Sequence, residues 1–147
     1  LSRIKLEMPE IFEFRTNIKV RVTDLNYGNH MSNDVYLAFL HEARMQYLNN
    51  IGYSELDIAG CSVIMGDSAI VYKAECFYGD ELLIEMAVEE ISVRSFDFYY
   101  KICKQNENKT LAAIAKTGMV CFNYKERKTV NIPIEFIDKI NLLKKSI

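Results

Sequence analysis

Residues 23–52 read TDLNYGNHMSNDVYLAFLHEARMQYLNNIG, and the fold turns on how this stretch divides. From Val35 onward it reads as one long helix: Tyr36, Leu37, Leu40, Ala43, Tyr47, Leu48 and Ile51 recur at helical spacing. Val35 and Phe39 add apolar surface on a neighbouring face, so the helix is apolar around much of its girth. A helix of that kind is wrapped by other structure instead of lying on a surface. Ser32 or Asn33 is placed to cap it, Asp34 complements the positive end of its dipole, and Gly52 is placed to end it. The first half, before the helix, is a polar turn. It gathers Asp24, Asn26, Gly28, Asn29 and Asn33 around His30, one of two histidines in the chain.

Outward from this stretch the pattern changes to period two. Upstream, Ile18, Val20 and Val22 alternate with Asn17, Lys19 and Arg21, which predicts a strand within residues 12–23 with one buried face. Downstream, CSVIMGDSAIVYKAECF, ELLIEMAVEEISV, RSFDFYYKICKQ and KTLAAIAKTGMVCFNY all read as strands. They are separated by turn signals at 78–80, 92–94 and 105–109. Short connections between successive strands imply antiparallel pairing. SELD at 54–57 has the form of a capping box, which predicts a short helical turn. A short C-terminal helix is expected from Pro133, with Asn131 as its cap and Phe136, Ile137, Ile140 and Leu143 on one side. The order strand, helix, four strands, helix argues an α+β domain over residues 1–147. Its antiparallel sheet of about five strands wraps one long central helix, the hotdog arrangement.

With 147 residues, 50% of them hydrophobic and 26% charged, the chain has the composition of one globular domain. A net charge of −2 gives no global attraction to nucleic acid or an anionic membrane. No apolar run approaches the roughly 20 residues that span a bilayer. The N-terminal LSRIKLEMPEIFEF lacks the apolar h-region of a signal peptide, and its opening leucine suggests an initiator or short leader upstream. Cys61, Cys76, Cys103 and Cys121 form no CxxC pair and read as reduced thiols of a cytoplasmic protein. No metal centre and no cofactor are expected.

RVTDLNYGNHMSNDVYLAFLHEARMQYLNNIGY, with Glu42, Ala43 and Arg44 in its helix, resembles the N-terminal half of hotdog thioesterases of the 4-hydroxybenzoyl-CoA thioesterase type. DLNYGNHMSN is also similar to the matching turn of the plant acyl-carrier-protein thioesterases. VYKAECFYGDELLIE resembles their strand bearing a Glu-Cys pair, here Glu75 and Cys76. The resemblance spans residues 16–124 and implies hydrolysis of an acyl-CoA or acyl-ACP thioester in fatty acid metabolism by a homodimer or homotetramer. One departure matters. Many relatives carry their catalytic aspartate four residues before the histidine, where this chain has Asn26. In the plant enzymes an asparagine stands two before the histidine, where this chain has Gly28.

Thioester hydrolysis needs an activated water or carboxylate nucleophile, stabilisation of an oxyanion, and a groove for the acyl chain. Free N–H groups at the helix start, near residues 33–36, suit the oxyanion. His30 and Asn26 are candidates to orient carbonyl and water, although an amide cannot serve as base. Glu75 is the first candidate for the missing carboxylate and Asp67 the second. For Asp67 the competing reading is a bulge at Gly66 that turns the side chain to solvent. Tyr27, Gly28, Asn33 and Asp34 are the candidate substrate-binding residues. Asp24 is expected to bind backbone N–H groups in the turn, and Cys76 to be a core thiol. His41, Glu42 and Arg44 read as structural, with Arg44 able to pair across an interface, and the alternation Phe96, Phe98, Tyr100 as sheet core or acyl-tunnel wall. The CoA phosphates could meet Lys73, Arg94, Lys101 or Lys116. Two rival functions stand beside hydrolysis. One is acyl-CoA binding without turnover, which loss of the family aspartate would suit. The other is a hotdog enoyl-CoA hydratase or dehydratase.

Overall fold

The computed structural model describes residues 2–147. The elements run β1 (Phe14–Lys19), α1 (Val35–Asn50), β2 (Ser62–Tyr72), β3 (Glu81–Glu89), β4 (Ser95–Lys104), β5 (Leu111–Asn123), β6 (Lys128–Thr129) and α2 (Ile134–Lys145). One six-stranded sheet has the order β1-β3-β4-β5-β2, with the two-residue β6 paired to β5, and every pairing is antiparallel. The expected five strands are therefore present, with one short addition.

α1 is 16 residues long, and its buried positions are Tyr36, Phe39, Leu40, Ala43, Arg44, Tyr47 and Leu48. That is one stripe at i, i+3, i+4 spacing, not a girdle. Leu37 and Met45 remain 42% and 37% exposed, because a single sheet covers only one side of the helix. The stripe packs into one cluster with Ile84, Met86 and Val88 of β3, Phe96, Phe98 and Tyr100 of β4, and Ala113 and Ala115 of β5. The aromatic alternation on β4 is thus core: Phe98 meets Tyr47 edge-on at 5.2 Å and Phe96 lies 5.0 Å from Phe136 of α2. Each such side chain contributes roughly 1.5–3 kcal/mol by leaving water.

Two buried polar groups within this packing are paired, as burial demands. Arg44, read as structural, pairs inside the chain. Its guanidinium donates to Glu55 at 3.4 Å and to the Tyr100 hydroxyl at 3.2 Å, and Tyr100 is bonded to Thr117 at 2.6 Å. Glu13 accepts from the Tyr47 hydroxyl and the Val88 N–H, each at 2.7 Å, and from Lys144 at 3.1 Å, so it joins α1, β3 and α2.

Several boundaries differ from the sequence reading, each through a competing local bond. β1 ends at Lys19, and Val22 is 68% exposed in a 3₁₀ turn (Val22–Asp24). Asp24 holds that turn by accepting the Arg21 N–H at 2.8 Å, the role expected of it. Asp34, not Ser32 or Asn33, stands at the N-cap of α1, and the Ser32 hydroxyl is bonded to its carboxylate. SELD forms no helix, although its Asp57 N–H does donate to Ser54 Oγ at 3.2 Å. Pro133 itself is the N-cap of α2, and Asn131 instead accepts from Arg94 at 3.2 Å.

Gly52 ends α1 as expected, at φ +88°. Its N–H reaches the Asn49 carbonyl at 3.1 Å and the Tyr53 N–H reaches Leu48 at 2.8 Å, the paired bonds of a Schellman cap. A methyl group there meets only Lys139 Nζ at 3.6 Å, so the cost of Gly52→Ala is conformational. Gly52→Ala is expected to destabilise by about 1–2 kcal/mol, read as a lower midpoint in thermal or urea unfolding. An unchanged midpoint would show that the left-handed cap is not required.

Candidate active site

The polar turn is built largely from its own backbone. Asn26 N–H bonds the His30 carbonyl at 2.9 Å, Asn29 N–H bonds the Asn26 carbonyl at 3.1 Å, and Asn29 takes φ +62°. Asparagine tolerates that left-handed conformation better than most residues. The turn is then clamped to the loop after β2. Met31 N–H donates to the Cys76 carbonyl at 2.7 Å, and His30 bridges to Phe77.

That loop begins earlier than the alternation predicts. β2 stops at Tyr72, and the Lys73 and Ala74 N–H groups both turn to the Ala112 carbonyl, at 2.8 and 3.1 Å. Glu75 therefore sits on a connection instead of a strand, one residue before the carbonyl that holds the His30 turn. The result is a cleft of about 440 Å³ at the start of α1, lined by Asn26, His30, Asn33 and Glu75 among others. Tyr36 and Tyr72 also line it, in an edge-to-face pair with centroids 5.1 Å apart, as does Lys73. Tyr72 donates its hydroxyl to the Asn33 carbonyl at 3.0 Å, which ties the end of β2 to the start of the helix.

The polar groups of the cleft have defined capacities. Asn26 Oδ1 accepts the Gly28 N–H at 2.9 Å, which orients the amide and leaves its NH₂ to donate. His30 Nδ1 lies 3.3 Å from the Met31 carbonyl, an acceptor only, so a bond there is donated by Nδ1. Glu75 is an exposed carboxylate. At the helix start the Val35 N–H is already bonded to Ser32 at 3.0 Å. The Asp34 carboxyl is held below the usual range, first by the Ser32 hydroxyl and then by the N–H groups of Asp34 and Val35. An oxyanion at the helix start is therefore better served at Asn33 and Tyr36, which line the cleft, than beside Asp34.

The other expected residues lie apart from this cleft. Asp67 is on a bulge in β2, its side chain 66% exposed, bonded to Lys116 at 2.9 and 3.1 Å and to the Gly118 N–H at 3.0 Å. Tyr27 is fully exposed at the tip of the turn, and Gly28 backs the His30 ring from outside the cleft. Cys76 is buried, with Tyr36 donating to its sulfur at 3.4 Å, and burial pushes its thiol above the ordinary value. It is a core thiol. Tyr36 and Tyr72 were not legible as cleft residues: the first counts equally well as helix core, and the second follows a parity that a bulge inverts. Among the described residues, no trio of His, Cys, Asp or Glu is placed to hold a metal, and no helix is long and apolar enough to cross a membrane.

Residues 20–140 match the family model described as the thioesterase-like superfamily. The chain is 30% identical over 129 residues to the "Putative esterase" of Aquifex aeolicus (strain VF5), covering 86% of this chain and 95% of that one. Among solved structures it is similar to a 1,4-dihydroxy-2-naphthoyl-CoA thioesterase from Synechocystis, with a TM-score of 0.79 and 24% identity over 87% of this chain and 95% of that one. A DHNA-CoA thioesterase from Staphylococcus aureus gives a TM-score of 0.76 and 22% identity over 90% and 89% of the two chains. At those identities the structural likeness speaks for the fold.

A Cβ added at Gly28 would sit 3.2 Å from both Asn26 Oδ1 and His30 Nε2. Gly28→Ala is therefore expected to displace the His30 ring while changing stability by less than about 0.5–1 kcal/mol. The imidazole resonances of His30 in a ¹H–¹³C correlation spectrum report this, and unshifted resonances would show that the ring does not rest on Gly28.

Proposed function

The chain belongs to the thioesterase-like superfamily, and on that premise we propose that it hydrolyses an acyl thioester to a free acid and a thiol. Coenzyme A is the preferred carrier and acyl carrier protein the alternative, as in enzymes of the 4-hydroxybenzoyl-CoA thioesterase type. The reading is carried by one observation: an exposed carboxylate, Glu75, lines the same cleft as His30, Asn26 and the start of α1.

In the proposed mechanism Glu75 takes a proton from a water molecule as the water oxygen attacks the thioester carbonyl carbon. The C=O π pair moves onto oxygen, and the resulting oxyanion is held by main-chain N–H groups around Asn33 and Tyr36. Asn26, whose NH₂ is free to donate, and His30 orient the carbonyl and the water. Collapse of the tetrahedral intermediate breaks the C–S bond, and the proton held by Glu75 passes to the departing thiolate. Glu75 thus does what an aspartate at position 26 would do, from a different segment of the chain. The aromatic pair Tyr36 and Tyr72 in the cleft lining suits an aryl or alkyl group. Because the Synechocystis structural relative is a 1,4-dihydroxy-2-naphthoyl-CoA thioesterase, aromatic thioesters belong beside straight-chain ones in any substrate panel. The setting proposed is cytoplasmic. The assembly proposed is a homodimer or homotetramer, with β2 at the sheet edge open to a second copy.

The test is thiol release from aromatic and straight-chain acyl-CoAs by wild type, Glu75→Gln and His30→Ala. Glu75→Gln is expected to lower kcat by roughly 10²–10⁴-fold with the fold and acyl-CoA binding intact, the range a general base supplies. Binding of acyl-CoA by wild type with no thiol release would favour a non-catalytic acyl-CoA binder. Hydration of an enoyl-CoA would favour a hydratase. The state of assembly is read separately, by sedimentation: a mass near twice or four times 17.0 kDa is expected.

A further inference from the structure

The bulge at Gly66 decides which residues of β2 face α1. Before it, Val63 and Met65 stand opposite the buried Cys121 and Met119 of β5. After it, Ser68, Ile70 and Tyr72 stand opposite the fully buried Thr117, Ala115 and Ala113. Strand side chains alternate strictly, so the parity set by Val63 and Met65 would carry Val71 and Lys73 to the helix side and leave Tyr72 on the far face. The one extra residue inverts that parity. Tyr72 reaches Tyr36 and the Asn33 carbonyl only because of it.

The bulge is held from the far face of the sheet. Asp67 Oδ1 accepts both the Gly118 N–H, at 3.0 Å, and Lys116 Nζ, at 2.9 Å, while Lys116 also lies 3.6 Å from Asp97 of β4. These residues surround a separate hollow of about 210 Å³ that contains none of the cleft's residues. Position 118 must be glycine for this contact. A Cβ there would fall 2.3 Å from Asp67 Oδ1, closer than any real contact, and the side-chain tip of Asp67 would have to swing away.

We propose that Asp67 is a positioning residue for the cleft: by pinning the Gly66 bulge it delivers Tyr72 to the helix side, and Tyr72 in turn fixes the peptide of Asn33 at the start of α1. Asp67 itself touches no substrate. The proposal rests on the thioesterase reading only for its kinetic arm.

The experiment compares wild type with Asp67→Ala, Asp67→Asn, Gly118→Ala, Tyr72→Phe and the Asp67→Ala/Tyr72→Phe double variant. One arm measures thioester turnover and the other measures hydrogen exchange of residues 68–75 by mass spectrometry. Asp67→Ala and Gly118→Ala are expected to lower kcat by roughly tenfold to a hundredfold, the scale of a small misplacement, with KM and the pH profile little changed. Asp67→Asn keeps an oxygen for the Gly118 N–H and is expected to recover most of the loss. The double variant is expected to be no worse than its worse parent, because both changes cut one path. Faster exchange over 68–75 is expected in Asp67→Ala and Gly118→Ala. Additive losses, full activity in Asp67→Ala, or an Asp67→Asn variant as poor as Asp67→Ala with a lost acidic limb would each overturn the proposal. If wild type turns over no thioester, exchange alone decides, and unaltered exchange in both lock variants overturns the proposal without bearing on the function of the cleft.

Discussion

One side of α1 must be kept from water, and the rest of the molecule is arranged around that constraint. Six apolar or aromatic side chains and one arginine face inward along the helix, and only a curved sheet presents enough apolar surface to meet them. The arginine raises the stakes. Arg44 is buried among Tyr100, Thr117 and Glu55, so displacing the helix would strand a charge as well as expose a stripe. Glu13 secures the same half of the helix one turn further on, through Tyr47, and ties it to Lys144 of α2. A helix held this firmly presents its N-terminus at a fixed place, and the cleft forms there.

The cleft is assembled mostly from backbone bonds, which explains why so few of its polar side chains are free to act. The Asn26 amide is oriented by the Gly28 N–H, Asp34 is occupied by Ser32 and nearby N–H groups, and Cys76 is sealed under Tyr36. Glu75 and the His30 ring remain. They share the cleft because their segments, 45 residues apart, are joined there by the Met31 N–H to Cys76 carbonyl bond and the His30–Phe77 bridge. The proposed replacement of a missing aspartate by a glutamate from another segment follows from that junction.

Legibility in the sequence tracks the range of the forces involved. The strands, α1 and its glycine stop could be read directly, because alternation, helical spacing and a left-handed cap are local properties. Val22 misled because Asp24 captures the Arg21 N–H and bends the chain before the alternation ends. Asn131 misled because Arg94, remote in sequence, takes its side chain. Leu37 looked like core because periodicity gives the width of an apolar stripe but not how many layers cover it. Tyr72 was invisible because a one-residue bulge leaves no mark on composition while inverting every side chain after it. The Gly66-Asp67 pair was the only hint.

Residue order by itself determined the α+β class, the succession of elements, the polar turn at the helix start and the absence of an aspartate at position 26. These follow from periodicities and steric preferences that act over a few residues. Tertiary structure alone decided that Glu75 shares a cleft with His30 while Asp67 lies on the opposite face of the sheet. It also decided that Arg44 is paired inside the chain and that Tyr72 faces the helix. Those outcomes depend on strand register and on hydrogen bonds between distant segments. Neither is encoded at any one position, because each exists only once two parts of the chain have met.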